Sequence, residues 1–184
     1  GDRKGGWVKE TDTPKPGQLR SKRRLACEKA WLNSGLPVQI LRLPGIYGPG
    51  RSVIEGILSG KSKMIDKPGQ VFSRIHVEDI AGAIIHLIHL AAQGNKPKII
   101  NIADNIPTAN LIVMNYAASL GKYSLPPKEP FEIAAKKMSP MALSFWEENR
   151  KVSNHMLCEE LGYSLLHPDY KAGILDCFNQ KNEF

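Results

Sequence analysis

The sequence is poor in cysteine and in aromatic residues, and it contains no long apolar run. Its three cysteines, Cys27, Cys158 and Cys177, fit neither a disulfide framework nor a metal-type spacing, which favours reduced thiols and a cytoplasmic location. No stretch of about 20 apolar residues occurs, so no membrane-spanning helix is predicted. Aromatic residues make up 7% of the chain, and none interleaves the basic run at residues 20–24, which argues against a nucleic-acid-binding site.

Apolar residues are nevertheless sufficient for one folded domain. They make up 42% of the 184 residues, an ordinary share for a globular protein with a hydrophobic core. The net charge of +7 is compatible with an anionic ligand, but it carries no information about the fold.

The most informative stretch covers residues 36–50, where an apolar run of strand length ends in a segment rich in proline and glycine. The pattern predicts a buried strand over residues 38–43. Pro44 has no backbone N–H to donate and three glycines follow it, so we expect the strand to stop and the backbone to turn sharply. Open α/β sheets bind ligands at such a carboxyl end of a strand, although an ordinary turn fits the same residues.

Elsewhere the pattern alternates between helices and short strands. Helical spacing of apolar residues predicts helices over residues 18–33 and 78–93. The second of these carries an apolar stripe of Ile80, Ile84, Leu87 and Ile88. Further strands are predicted at residues 71–77 and 98–102, and further helices near residues 51–58, 107–120, 132–137, 140–147, 153–161 and 168–178. This alternation predicts the α/β class.

Five stretches together resemble one family. Residues 41–50 (Leu-Arg-Leu-Pro-Gly-Ile-Tyr-Gly-Pro-Gly), 72–80, 100–104, 149–154 and 160–163 are similar in order and spacing to the extended short-chain dehydrogenases/reductases, the NAD-dependent epimerase/dehydratase family. The similarity is greatest to the atypical members that are nucleoside-diphosphate-sugar epimerase-like. The resemblance implies the carboxyl-terminal part of a Rossmann-type, doubly wound parallel sheet with a mainly helical substrate-side cap.

The resemblance also implies a division of the chain. Residues 1–106 would be a late Rossmann segment with inserted substrate-side elements, and residues 107–184 a mainly helical carboxyl-terminal region. A dinucleotide-binding chain opens with a strand and a glycine-rich turn, and neither stands at the start of this sequence. We therefore expect an amino-terminal nucleotide-binding half, absent here, to bind most of the cofactor, NAD or NADP.

The family's chemistry uses a tyrosine and, four residues later, a lysine on the first predicted helix, because positions i and i+4 share a face. An acid usually follows the lysine, and Glu28 is its match. This register places Arg24 at the lysine position and Arg20 at the tyrosine position, whereas anchoring on Lys22 places Gln18 at the tyrosine position. Neither register supplies a tyrosine, and arginine cannot replace a phenolate base because it stays protonated.

Other site residues follow from the resemblance. Pro44, Gly45 and Ile46 match the loop whose backbone meets the nicotinamide, and Arg24 is an additional candidate donor to ribose or phosphate. The family uses the position of Tyr47 for packing. The predicted cofactor contacts are therefore these three residues together with Arg24.

Arg51 and Arg74 are candidates for binding an anionic group of a small-molecule substrate. Enzymes that bind nucleotide sugars often carry an arginine four residues before the His-Val-Asp-Asp segment, and Phe72 occupies that position here. A nucleotide sugar is therefore one possible substrate rather than the expected one. Arg74 is either a displaced substitute or a surface arginine.

Histidines do not predict a metal site. His76 is expected to have a structural role at a strand-to-helix junction. His86 and His89 have a spacing compatible with a metal, but no carboxylate or cysteine completes a set, so a solvated helix face is expected.

Two functions are open at this point. The first is an NAD(P)-dependent epimerase/dehydratase-like oxidoreductase that is atypical because the catalytic tyrosine is missing. The alternative is a non-catalytic nucleotide-sensing or scaffold protein on the same fold. The resemblance also implies a possible homodimer that packs the first predicted helix against its partner, with Glu28 paired to Arg24 or to a partner arginine.

Overall fold

The structure is a computed structural model that describes residues 1–182. The helices are α1 (Leu19–Leu32), α2 (Val53–Leu58), α3 (Val77–Ala92), α4 (Asn110–Gly121), α5 (Phe131–Ala135), α6 (Pro140–Ser144) and α7 (Tyr170–Asn182). The strands are β1 (Trp7–Val8), β2 (Ile40–Arg42), β3 (Gly45–Tyr47), β4 (Met64–Asp66), β5 (Arg74–His76), β6 (Ile99–Asn101), β7 (Lys128–Pro130) and β8 (Lys151–Val152). One π-helical turn, Met156–Glu160, precedes α7.

All the strand pairs are parallel. They are β1 with β8, β2 with β6, β3 with β5, and β4 with β7. The two central pairs, β2–β6 and β3–β5, are joined through the segment that follows β6. The Ile102 amide extends the ladder with β2 by donating to the Arg42 carbonyl oxygen (3.1 Å), and the Asp104 amide then donates to the Arg74 carbonyl oxygen of β5 (2.8 Å). Parallel strands with helical crossovers confirm the predicted α/β class.

Two hydrophobic clusters lie on the two sides of these central strands. The first joins β3, α2, α4 and α7 and includes Tyr47, Ile54, Val113, Ala117 and Ile174. The second joins β5, α3, β6 and the π-helical turn and includes Ile75, Ala83, Leu87, Ile100 and Leu157. Residues from both sides of the predicted boundary at 106/107 thus share the first cluster. The proposed domain division stays a prediction.

Local signals explain where the two helices beside β3 and β5 begin. The Ser52 hydroxyl accepts a hydrogen bond from the Ile54 amide, and the Glu55 carboxylate accepts one from the Ser52 amide, a capping box that starts α2. Nδ1 of His76 accepts a hydrogen bond from the Glu78 amide (3.4 Å) and caps α3. The predicted structural role of His76 at the strand-to-helix junction is therefore confirmed.

The sequence-based boundaries need two corrections. The strand predicted over residues 38–43 is only Ile40–Arg42, and a second strand, β3, begins at Gly45, within the predicted loop. Pro44 has no N–H to extend the ladder with β6, so the chain changes partner and continues beside β5. The helix predicted over residues 153–161 is reduced to the π-helical turn Met156–Glu160.

The predicted apolar stripe of α3 is also only partly buried. Leu87 is buried, but Ile84 and Ile88 are 39% and 60% exposed. The buried face is instead formed by Asp79, Ala83 and Leu87, so the helix is rotated relative to the prediction. Within residues 1–182, no helix is both long and apolar enough to span a membrane.

Candidate functional site

The segment that follows β2 presents an exposed backbone edge. Pro44 is half-buried, and Gly45 and Ile46 are exposed, although Gly45 and Ile46 belong to β3. The Gly45 amide donates to the Ser73 carbonyl oxygen (3.2 Å), so the segment is held against the chain that enters β5. The three predicted cofactor residues are thus contiguous and accessible. Their contact with a cofactor stays a prediction.

Tyr47, the next residue, faces the opposite way. Its side chain is 7% exposed and packs edge-on against His76, with ring centroids 5.2 Å apart. Among the described residues its hydroxyl has no hydrogen-bond partner. Burial, reinforced by the charge of Asp104, raises the pKa of Tyr47 far above its ordinary value. Tyr47 is therefore a packing residue and cannot act as a phenolate base near neutral pH.

A buried acid and a buried base lie behind this edge. The Arg74 guanidinium donates to the carbonyl oxygens of Phe72 and Thr108, at 2.9 Å each, and to Oδ1 of Asn110 at 3.3 Å. Asp104 is 1% exposed, and neither of its carboxylate oxygens has a hydrogen-bond partner among the described residues. Burial raises the pKa of Asp104 to about 7, against the opposing attraction of Arg74.

This arrangement bears on two of the sequence assignments. Arg74 is committed to backbone carbonyl groups of its own chain, so the structure gives it a structural role, and its contact with a substrate anion is untested. Asp104 lies in one of the family-like stretches, but no role is predicted for it from the sequence. An acid directly after an apolar strand is the signal that could have identified it, because a residue in that position lies at the end of a buried strand.

Helix α1 carries the two arginines at the family's tyrosine and lysine positions. No residue of α1 is buried, and both Arg20 and Arg24 are exposed. The Arg20 guanidinium lies over the Phe145 ring, 4.7 Å from its centroid, so α1 is in contact with the chain near α6. The Gln18 side chain reinforces this contact by donating to the Ser144 carbonyl oxygen (2.8 Å).

Glu28 has a different partner from the one predicted. Its Oε2 accepts hydrogen bonds from Nε and Nη2 of Arg42, at 3.2 and 2.8 Å. Within the chain, Glu28 is therefore paired with Arg42 and not with Arg24, whereas its predicted pairing with a partner arginine stays a prediction. Arg42 is on β2, and sequence spacing along a helix cannot indicate a partner on another element.

Arg51 is the other predicted substrate residue, and Phe72 occupies the position of the family's arginine. Arg51 is exposed and its backbone pairs with that of Gly48. Phe72 packs edge-on against Trp146, with ring centroids 5.2 Å apart. The two aromatic residues line a small cavity of about 110 Å³, together with Ile65, Asp66, Lys67, Pro68, Gly69, Gln70, Ala109, Asn110 and Leu111.

His86 is half-buried and hydrogen-bonded within the protein, so only His89 lies on the solvated helix face that the sequence predicts. One ring nitrogen of His86, Nε2, lies 2.7 Å from the Leu161 carbonyl oxygen, and its ring lies near that of Tyr163. This contact fixes the segment after the π-helical turn against α3. The sequence does not indicate that two other histidines, His76 and His167, come together in the fold.

No family model matches the sequence. Among characterised proteins, the chain is 31% identical over 167 residues to the protein YeeZ of Escherichia coli (strain K12), covering 89% of this chain and 54% of YeeZ. It is 26% identical over 172 residues to a 3-diazoavenalumate denitrifying reductase of a Streptomyces species, covering 89% of this chain and 55% of the reductase. The chain thus spans about half the length of these relatives.

Solved structures also match nearly the whole of this chain and only part of their own length. A functionally unknown conserved protein from Silicibacter pomeroyi is 39% identical, with a TM-score of 0.90, and the match covers 98% of this chain and 62% of that protein. A protein from Methylobacillus flagellatus, assigned as an NAD-dependent epimerase/dehydratase, is 24% identical with a TM-score of 0.72, covering 96% and 59% of the two chains.

Two further structures contain ligands. The human epimerase family protein SDR39U1 with NADPH is 16% identical with a TM-score of 0.78, covering 97% of this chain and 62% of that one. A UDP-glucuronic acid 4-epimerase from Bacillus cereus, in complex with UDP-glucuronic acid and NAD, is 17% identical with a TM-score of 0.68, covering 100% and 59%. The resemblance drawn from the sequence is confirmed for the fold: the chain has the fold of NAD-dependent epimerase/dehydratase structures.

Proposed function

We propose that this chain is the cofactor- and substrate-facing part of an NAD(P)-dependent oxidoreductase. The observation that carries the proposal is the accessible edge of Pro44, Gly45 and Ile46 where the chain changes partner between β2 and β3. Ligands of open parallel sheets bind at such carboxyl ends of strands. The NADPH and NAD complexes of structures with this fold support a nicotinamide cofactor.

Most of the cofactor's binding energy would come from outside residues 1–184. A dinucleotide phosphate is held by a glycine-rich turn at a helix amino terminus, and this sequence contains no such strand–turn–helix start. The exposed Arg24 would add a donor to ribose or phosphate, and the exposed Arg51 would bind an anionic group of the substrate. A protein of this kind would act in the cytoplasm on a small molecule, as a possible homodimer.

The features of this chain do not favour a nucleotide sugar as the substrate. Phe72 stands in the arginine position and packs on Trp146, so this position contributes an aromatic side chain to the small cavity, which Lys67 also lines. We expect very weak or absent epimerase activity with common nucleotide sugars, because α1 has no tyrosine and Tyr47 is buried. The Streptomyces relative, a reductase, supports hydride transfer without epimerisation as the reaction class.

A second candidate function is nucleotide sensing without catalysis. The observation that favours it is the arginine at position 20, which lies on Phe145 instead of presenting a proton donor or acceptor. Both functions require cofactor contact at Pro44–Ile46, and they differ only in turnover. Measurements of binding and of turnover therefore separate them.

The test is calorimetry with NAD and NADP on the intact protein and on residues 1–184 alone. We expect binding by the intact protein and negligible binding by residues 1–184. Replacing Gly45 by valine adds a side chain whose Cβ would lie 3.4 Å from the Ser73 carbonyl oxygen and 3.8 Å from Cγ of Arg74, so it crowds the edge. It should weaken cofactor binding by at least about tenfold, about 1.4 kcal/mol, and an unchanged unfolding midpoint would exclude a general loss of stability as the cause. Gly17→Val is the matched control, because nothing lies within 4 Å of a Cβ at Gly17.

Three outcomes would change the proposal. Micromolar binding by residues 1–184 alone would show that the cofactor site does not depend on a further half of the fold. Equal binding by the Gly45 and Gly17 variants would remove the edge from the cofactor site. Cofactor binding without NADPH oxidation, across a panel of aromatic and sugar-nucleotide substrates, would favour the sensing function.

A further inference from the structure

Two histidines and two carboxylates converge where α7 meets the start of α3. His76 ends β5, Glu78 is in the first turn of α3, His167 precedes α7, and Asp176 is within α7. One ring nitrogen of each histidine and one oxygen of each carboxylate all lie within 4.8 Å of one another. These four residues, the His–acid cluster, have no part in the proposed reaction, although His76 is paired in register with Tyr47, the residue that follows the predicted cofactor edge.

The histidines of this cluster are held in place by the backbone around them. His76 is fully buried, and its Nδ1 is fixed by the Glu78 amide. The buried Asp79 accepts hydrogen bonds from the amides of Leu166 (2.7 Å) and His167 (3.0 Å), which fixes the segment that carries His167. Supporting hydrogen bonds of this kind are what orient ligands at metal centres.

The distances between the donors are close to those of a four-coordinate site. Ligand bonds of about 2.1 Å in a tetrahedron place the donor atoms about 3.4 Å apart. Here Nε2 of His167 is 2.9 Å from Oε2 of Glu78, and Nε2 of His76 is 3.6 Å from Oδ2 of Asp176. Side-chain adjustments of less than about 1 Å would therefore bring the donors to one cation.

The charge of the cluster also suits a divalent cation. Glu78 and Asp176 bring two negative charges, and within residues 1–182 no lysine or arginine forms an ion pair with either of them. Glu78 is 47% and Asp176 25% exposed on their side chains, so an ion can enter from solvent, whereas His76 closes the inner side. Imidazole and carboxylate donors in a set of four favour zinc among the common divalent ions.

We propose that the His–acid cluster binds one zinc-class divalent ion as a structural site with four protein ligands. The ion would replace the hydrogen bond between His167 and Glu78 and tie α7, the segment before it and the start of α3 together. Four protein ligands leave no open position for a substrate, so the site stabilises the fold and takes no part in catalysis.

The test uses the intact protein after dialysis against a chelator. Titration with Co²⁺ should give visible absorption bands of a four-coordinate, nitrogen- and oxygen-bound ion, Zn²⁺ should remove these bands, and Zn²⁺ should raise the thermal unfolding midpoint. The variants Glu78→Gln and Asp176→Asn keep the shape of each side chain but remove a charged donor. Each should weaken Co²⁺ binding by at least about tenfold and reduce the Zn²⁺-induced shift of the midpoint.

A second histidine–acid pair in the same chain provides the control. His155 and Glu160 lie 3.7 Å apart, but both are more than half exposed and no further donor among residues 1–182 completes a set. The double variant His155→Gln, Glu160→Gln should bind Co²⁺ like the wild type. Absence of Co²⁺ bands in the wild type would show a hydrogen-bonded cluster only and overturn the proposal. Unchanged binding by Glu78→Gln and Asp176→Asn would overturn it as well, since the ion would then lie elsewhere.

Discussion

Asp104 makes the stability of this protein depend on pH in a direction opposite to that of most carboxylates. Its carboxyl group is buried without a hydrogen-bond partner among the described residues, and the pKa is raised from 3.8 to about 7. The folded state therefore holds a proton that the unfolded chain releases between these two values. Folding is favoured most below pH 3.8, and this contribution is lost as pH rises through about 7.

The size of the effect follows from the shift. About three pKa units at about 1.4 kcal/mol each correspond to about 4 kcal/mol of unfolding free energy, as an upper bound. Four groups face Asp104: Arg74 from β5 lowers its pKa, while Asp169 and Asp79 raise it, and Tyr47 from β3 lies close by. The raised pKa of Asp104 already includes the attraction of Arg74, which lowers it. The effect of burial on this pKa is therefore larger than the effect of that one favourable charge.

The substitution Asp104→Asn isolates this contribution. The amide has the shape of the protonated acid and no charge, so its stability relative to the wild type should increase with pH. We expect the difference in unfolding free energy between variant and wild type to grow by up to about 4 kcal/mol from acidic to mildly alkaline pH. Urea unfolding at a series of pH values measures this difference.

A control substitution and a result that would refute the argument can both be specified. Asp12→Asn removes an exposed carboxylate and should show no growth of the difference over the same pH series. A difference for Asp104→Asn that is flat, or that falls as pH rises, would refute the argument. It would mean that the Asp104 carboxylate is charged in the folded state and is stabilised there by Arg74.

Further substitutions test packing, helix capping and an ion pair. Tyr47→Phe removes a buried hydroxyl that has no hydrogen-bond partner among the described residues, and it should leave the unfolding free energy unchanged or raise it by up to about 1 kcal/mol. Gly173→Ala brings a Cβ against that hydroxyl and should cost about 1–3 kcal/mol, and less in the Tyr47→Phe background; additivity of the two would contradict the contact. Ser52→Ala should cost about 1 kcal/mol in urea unfolding through loss of the α2 cap, and no change would show that Glu55 alone suffices. A double-mutant cycle on Arg42 and Glu28 should give a coupling of up to about 1 kcal/mol that decreases with salt, and zero coupling would contradict the ion pair.

The sequence was a good guide to the long helices and a poor one to the short strands. Helices α1 and α3 lie within a residue or two of the predicted ranges because helical spacing extends over several turns there. Strands β4 and β7 were not predicted, since three residues are too few to show an alternation. Their pairing is set by contacts between distant parts of the chain, which local pattern does not contain.

The candidate site was predictable only where it follows from backbone chemistry. Pro44 indicated correctly that the ladder of β2 stops, because proline lacks the N–H that the ladder needs. The partner of Glu28, the burial of Arg74 and the convergence of His76 with His167 depend on which elements pack together. The last pair is separated by 91 positions along the chain, and no spacing rule joins them.

The surfaces that this structure leaves uncovered are consistent with the proposed larger fold. Helix α1 buries no residue, and β2 pairs with β6 along one edge only. Helix α3 exposes Ile85 and Ile88 by 57% and 60%. Parallel sheets are normally covered on both faces, and two-stranded pairs are marginal by themselves. A further sheet segment beside β2 would give α1 and the outer face of α3 a surface to pack on, which is the arrangement that the proposed cofactor-binding half requires.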